Sequence, residues 1–418
     1  MIRSLVVVCL ALLAVGAGPD ADPSTVIPPN DFVEYWSAAR VHARGGDPYD
    51  ATQILPHQRE ASGDSAMTVA VMLWTPPWTL PLYLPFGLLE PRAAHLAWLA
   101  VQAACVLASA GLLWRVYGPP APLGWLRRIG WAAIPVLVAV VFAPVWWMVW
   151  YGQNTGFVLL GVAGFVYLRA QGRPTAAGAA VALTAIKPHL LALFGLALVF
   201  DAATRSGRRA LLGGVAVVAL GAGLALVPDP DVFRQFAAAL SRPRSAESVP
   251  LSHWQIPTPG YRLREFVAGD RLAHDAGALF WLQFLPLAAG VIALVPYWLA
   301  RRRAWDWTVE TPRLVFASVL AAPYGAWMFD LTVLLVPVVA MFARLARAPR
   351  LVPVTAAVGA YLLLSVLTLV PPDRYQQWFG EKPYLHHFVW FAPAVLAWCG
   401  LVALLSRPAV NHSAESQS

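Results

Sequence analysis

Two carboxylates, Asp31 and Glu34, stand three residues apart shortly after the first apolar run, 2–18. At that spacing both lie on one side of a helix. A carboxylate so placed can take a proton from an attacking hydroxyl. Asp31 is equally suited to capping a helix that starts at Phe32, and the residues alone leave both roles open. Lys187 is one of two lysines in the chain, the other being Lys382. It interrupts the apolar run 176–200 and is followed by Pro188 and His189. An ionisable side chain in such a run is costly and normally faces a cavity or a partner. Lys187 is therefore either a cation for a lipid phosphate or a structural partner for a buried carboxylate such as Asp330. Asp330 is itself flanked by apolar residues in 323–330, which suggests a cavity for it too.

Other polar groups interrupt apolar surroundings. Tyr151-Gly152-Gln153-Asn154 separates two apolar runs. The amides of Gln153 and Asn154 suit hydrogen bonds to sugar hydroxyls, and a tight inter-helix turn explains the stretch equally well. Arg262 and Arg264 belong to a polar loop, where they can meet a phosphate or acidic headgroup or simply be solvated. His386 and His387 are adjacent, so on a helix their rings point apart and no metal site is expected. Cys9, Cys105 and Cys399 sit in separate apolar segments, which offers neither a disulfide framework nor a metal cluster. No P-loop, dinucleotide fingerprint, zinc motif or nucleophile elbow is present, so an ATP-driven pump is not expected.

The elements that must carry these residues are membrane helices. The chain is 59% hydrophobic and 12% charged, with a mean hydropathy of +0.59, unlike a soluble domain. A spanning helix needs about 20 apolar residues. Runs 94–114, 129–150, 210–227, 278–299, 351–370 and 388–405 qualify, and Pro-interrupted candidates lie at 69–89, 155–168, 176–200 and 314–342. The reading is an all-α polytopic membrane protein of roughly ten to twelve crossings by that length criterion. The net charge of +8 is placed in loops, where arginine orients helices, so no nucleic-acid partner is expected. Arginine clusters at 205–209, 301–303 and 344–350 read as cytoplasmic. That puts 228–275, 371–387 and the hairpin at 323–330 on the side of Asp31. Arg115, Arg127, Arg128, Arg169 and Arg173 cannot all be inside under a simple count of crossings, and a break at Lys187-Pro188 removes part of the conflict.

The run 2–18, with Arg3 near its start, reads as a retained first helix in preference to a cleaved secretory signal. The segment 19–66 is then a first outer loop. Within it, apolar residues at Phe32, Tyr35, Trp36, Ala39 and Val41 have helical spacing, which predicts a short amphipathic helix with its aromatic face in the lipid headgroups. Asn30 or Asp31 caps it, and Gly45-Gly46 ends it. The prolines of 73–85 preclude a regular helix interior, and Trp74, Trp78 and Tyr83 suit an interfacial belt. The domain reading is one integral membrane unit, 1–418, with a second large outer loop at 228–275 and a cytoplasmic tail at 407–418.

Several of these landmarks, taken in order, resemble the family-87 glycosyltransferases. Asp31-Phe32 with Tyr35, Ala38-Ala39, Gly46 and Asp47-Pro48-Tyr49 is similar to that family's first outer loop. The likeness continues through Pro76-Pro77 with Leu88-Leu89 and Pro91, Gly152-Gln153 with Asn154, Gly172-Arg173-Pro174, Lys187-Pro188 and Ala322-Pro323. These are polytopic enzymes of the GT-C superfamily, actinobacterial α-mannosyltransferases among them. The resemblance implies a GT-C-like bundle in the cytoplasmic membrane with its active site on the outer face. It implies a polyprenyl-phosphate sugar donor, usually mannose, and a glycolipid or glycan acceptor. The acceptor hydroxyl would attack with inversion, with Asp31 as general base and Lys187 holding the donor phosphate. Glu34, Gln153, Asn154, His189, Asp330, Arg262 and Arg264 are candidate substrate contacts. No cofactor or metal is expected, because a lipid phosphate leaves without a nucleotide. The hairpin 324–330 departs from the family's usual Ser, Trp and His. The rival readings are a transporter or flippase for a lipid-linked sugar, which would be expected to show internal repeats, and a non-catalytic assembly factor.

Overall fold

The computed structural model describes residues 27, 30–121, 125–241, 258–275, 277–348, 351–370 and 387–406. Among them are α-helices and short 3-10 turns and no strand. The protein is a polytopic helical membrane protein. Pro91–Tyr117, Arg205–Ala225 and Phe280–Ala304, of 27, 21 and 25 residues, are long and apolar enough to cross a membrane unbroken. The run 129–150, expected as a single span, is two helices, Trp125–Val141 and Ala143–Trp150, bent by 61°. The cause is Pro144, which has no N–H to donate and whose ring clashes with the preceding turn. Further apolar runs counted among the expected crossings form shorter helices, such as Thr155–Ala170 and Ala192–Asp201. By length and composition three described helices qualify, or four with the bent pair, where the apolar runs suggested roughly ten to twelve crossings.

The core forms where Pro91–Tyr117 packs on Thr155–Ala170 and on Leu335–Leu345. Trp98, Trp114 and Phe165 are fully buried there. Thr155–Ala170 in turn packs on Pro174–Val181, which packs on Arg205–Ala225. That last pair approaches backbone to backbone. A Cβ on Gly178 would overlap the Ala210 carbonyl oxygen, and one on Gly213 the Thr175 oxygen. Small residues at a crossing allow this in membranes, where close van der Waals packing drives association. The far side of Arg205–Ala225 leaves Leu212, Val215 and Leu220 exposed, a surface suited to lipid.

The described part of the first polar segment holds two helices, Phe32–His42 and Ala51–Ser62. Their ends follow the local chemistry. Asn30 Oδ1 accepts from Phe32 N at 3.1 Å, and Asp50 Oδ1 accepts from Thr52 N at 3.0 Å. Gly63, at φ +63°, ends the second helix in the left-handed region glycine tolerates. The first helix does not lay its aromatic face in headgroups. Phe32, Tyr35 and Trp36 are buried in protein, with Phe32 and Tyr35 ring centroids 5.7 and 5.1 Å from that of Trp98. Tyr83, expected in an interfacial belt, is buried in the same cluster. An aromatic stripe suits a lipid boundary and a protein core alike, and here Trp98 on the longest helix claims it. The segment 228–275 contributes helices Val232–Ser241 and Pro259–Ala268. The run 2–18, His386, the rest of the stretch 371–386 and the tail 407–418 lie outside the described residues.

Candidate active site

Three breaks in the helical framework bring polar side chains to one place. The first is the turn between Trp150 and Thr155. Gly152 sits at φ +64°, and Trp98 Nε1 donates to its carbonyl at 2.7 Å. The second follows the 3-10 turn Ala182–Ile186, where Pro188 keeps the chain from continuing as helix until Ala192. The third is the hairpin between Ala321 and Asp330, whose Gly325 and Ala326 both have positive φ. The N-terminus of Phe32–His42 closes the group.

These breaks and the N-terminal helix line a cavity of about 790 Å³. Its lining combines the polar Asp31, Glu34, Gln153, Lys187, His189 and Asp330 with the apolar Val69, Met72, Trp74, Ile186, Phe236 and Leu240. Asp31 heads its helix, yet its side chain makes no capping bond. Instead Gln153 Nε2 donates to Asp31 Oδ2 at 2.6 Å. The local capping bond is supplied by Asn30, so the alternative of Asp31 as a mere cap does not hold. Lys187 Nζ donates to Gln153 Oε1 at 2.7 Å and to Asp330 Oδ1 at 2.6 Å. Tyr35 Oη donates to the same Gln153 oxygen at 3.0 Å. Asp330 Oδ1 also accepts from Thr155 Oγ1 at 3.1 Å, and Asp330 Oδ2 from Trp327 N at 3.2 Å. Lys187 is thus the buried partner of Asp330, one of the two roles open to it in the sequence.

Asp31 and Glu34 belong to the segment that precedes the membrane-crossing helices. Burial pushes the Asp31 carboxyl above its ordinary range, opposed by the Gln153 hydrogen bond and the Lys187 charge. Burial pushes Glu34 well above its own range, helped by the Asp31 charge. Both become stronger bases than a free carboxylate; a hydrogen bond from Gln153 opposes the shift of Asp31 and one from Tyr35 that of Glu34.

The remaining candidates fall elsewhere. Asn154 is buried behind the cavity, its Nδ2 donating to Tyr83 Oη at 2.9 Å. Arg262 pairs with Glu265 at 2.5 Å. Arg264 is buried, donating from Nε to the Ala278 carbonyl at 2.9 Å and lying over the Phe280 ring. Neither arginine lines the cavity, because both are taken up within 258–284. Conversely, Tyr151, Tyr324, Trp327 and Phe329 line it and were not among the candidates. Their signal was the density of aromatics around Gly152 and in the hairpin. Aromatic faces beside hydrogen-bonding groups suit a sugar ring.

The model of glycosyltransferase family 87 matches residues 74–323. That span contains Gln153, Lys187 and His189, while Asp31 and Glu34 precede it and Asp330 follows it. No curated protein and no solved structure matches the chain.

Proposed function

This chain belongs to glycosyltransferase family 87, and on that premise we propose that it transfers mannose from a polyprenyl-phosphate donor to a hydroxyl of a glycolipid or glycan at the outer face of the cytoplasmic membrane. The observation that carries the reading is the placement of Asp31 in a cavity lined by both polar and apolar side chains. The apolar lining suits a lipid-linked donor, and the aromatics beside Lys187 suit its sugar. The Asp31 oxygen that Gln153 leaves free is the proton acceptor. The acceptor oxygen bonds to the anomeric carbon, its proton passes to Asp31, and the bond from that carbon to the lipid-phosphate oxygen breaks with inversion. The phosphate departs with the electron pair. Lys187, the one lysine or arginine among the described residues lining the cavity, meets that charge by exchanging one of its present acceptors for a phosphate oxygen. Family membership favours this reading over a flippase for the same lipid.

Membranes carrying the full chain, incubated with labelled polyprenyl-phosphate-mannose, test it. The wild type should yield a labelled glycolipid or glycan. Asp31→Asn should extract and elute as the wild type does while transfer falls about 10²- to 10⁴-fold, the usual weight of a general base. Full activity in Asp31→Asn would remove the general-base role, and no product from the wild type would remove the donor.

A further inference from the structure

We propose that Gln153 is a positioning residue: its amide, fixed by Lys187 and Tyr35, orients the Asp31 carboxylate for proton transfer and does not serve mainly to bind sugar. The inference rests on the role proposed above for Asp31. It starts from the orientation of one amide. Lys187 has only donors to offer, and the Tyr35 hydroxyl reaches the same atom, so the atom between them must be Oε1. Nε2 therefore faces Asp31, which when ionised only accepts. Chemistry fixes the amide here, where shape alone would not.

The backbone beneath it is fixed as well. A Cβ on Gly152 would lie 2.7 Å from Phe32 Cβ, so the turn presses directly on the first residue of the helix that Asp31 heads. Asn30 Nδ2 donates to the Trp150 carbonyl at 3.1 Å, tying the same two segments together. Asp330, Lys187, Gln153 and Asp31 then form one chain of hydrogen bonds in a buried setting, where each bond polarises the next. A hydrogen bond to an ionised group is about twice as strong as a neutral one. Three of the four bonding positions on the Gln153 amide are occupied, leaving a single N–H for any sugar hydroxyl.

The groups around Asp31 that bear on its titration are Glu34 and Tyr35 on its own helix, Tyr151 on the turn, Lys187 in the second break and Asp330 on the hairpin; His189, in the same break, acts on Lys187 and Asp330. Gln153 stabilises the charged form, as does Lys187. Activity that needs ionised Asp31 is present above its folded pKa and is lost as pH falls through it. Removing the Gln153 donor raises that pKa, so the acid limb moves to higher pH.

Gln153→Met and Gln153→Glu, in membranes carrying the full chain and supplied with labelled polyprenyl-phosphate-mannose, test this. Gln153→Met should lower kcat about 10²-fold, as a misplaced reacting group does, leave the donor KM unchanged and move the acid limb up. Gln153→Glu keeps the size and an oxygen for Lys187 but turns a second carboxylate toward Asp31. Its acid limb should also move up, and it carries the test alone if Gln153→Met does not fold. A raised KM with unchanged kcat and pH profile would overturn the proposal in favour of sugar binding. Wild-type kcat and pH profile in both variants, with Asp31→Asn inactive, would overturn it while leaving the role of Asp31 intact. Full activity in Asp31→Asn would remove that role and the inference together.

Discussion

The Lys187 ammonium is fully engaged without a ligand, by Gln153, Asp330 and, at 3.4 Å, Thr155 Oγ1. Breaking a buried ion pair by removing one partner leaves the other charge uncompensated, at a cost of about 3–5 kcal/mol. Lys187→Met should therefore lower the unfolding temperature in detergent and weaken donor use. Adding Asp330→Asn should restore the unfolding temperature, because the asparagine amide keeps an oxygen for Trp327 N and carries no charge. The donor KM should stay raised in the double variant if Lys187 meets the phosphate; recovery of both would make it a structural partner only. The sequence marked Lys187 and Asp330 separately as costly residues in apolar runs and named their pairing as one option. It carried no sign that Gln153 lies between Lys187 and Asp31, because a contact across 122 residues leaves no trace in local spacing. Arg262 and Arg264 show the converse: their charge was legible, but not that neighbours within the same short segment would consume it.

Elements were legible where a breaker sat in view. Pro188 and the Gly152 turn ended helices as expected; the prolines of 73–85 gave a 3-10 turn, Pro77–Thr79, but the α-helix Leu80–Gly87 then runs through Pro85, against expectation. Pro144 is a breaker of the same kind, outweighed in the reading by the length of the apolar run around it. The burial of Phe32, Tyr35 and Trp36 could not be read, since amphipathic spacing says which face is apolar and not what covers it. Packing between Pro174–Val181 and Arg205–Ala225 depends on absent side chains at Gly178 and Gly213. Gly178→Leu must separate the two helices, and forcing extra methylenes into such a contact costs about 1–3 kcal/mol. The unfolding temperature in detergent should fall accordingly, whereas Gly172→Ala, at a turn with open space around it, should lose only the backbone strain of its positive φ. Equal losses at both sites would refute the close-packing account.

On the proposed function, charge sets the arrangement across the bilayer, with the arginines at 205–209 on the cytoplasmic side and the 30–66 segment on the other. In intact cells a membrane-impermeant thiol reagent should label Ser65→Cys and spare Arg208→Cys, both being exposed positions; the reverse pattern would invert the topology. The described cysteines Cys105 and Cys399 are buried and give little background. The wedging of the Phe32–His42 helix against Trp98 and the Gly152 turn also has a meaning in time. The hydrogen-bond chain that ends at Asp31 reaches far down the sequence: Gln153 is 122 residues after Asp31, and Asp330 lies 143 beyond Lys187. During synthesis the Phe32–His42 helix first meets its near neighbours Ala51–Ser62 and Leu80–Gly87, while the hydrogen bonds that hold the Asp31 side chain are still unmade. Those bonds form only when the later helices are in place, and only the arrival of Asp330 neutralises Lys187. On the proposed function, the first catalytic residue to be made is the last to be held in place, which keeps an incomplete chain from acting on its donor before the bundle is assembled.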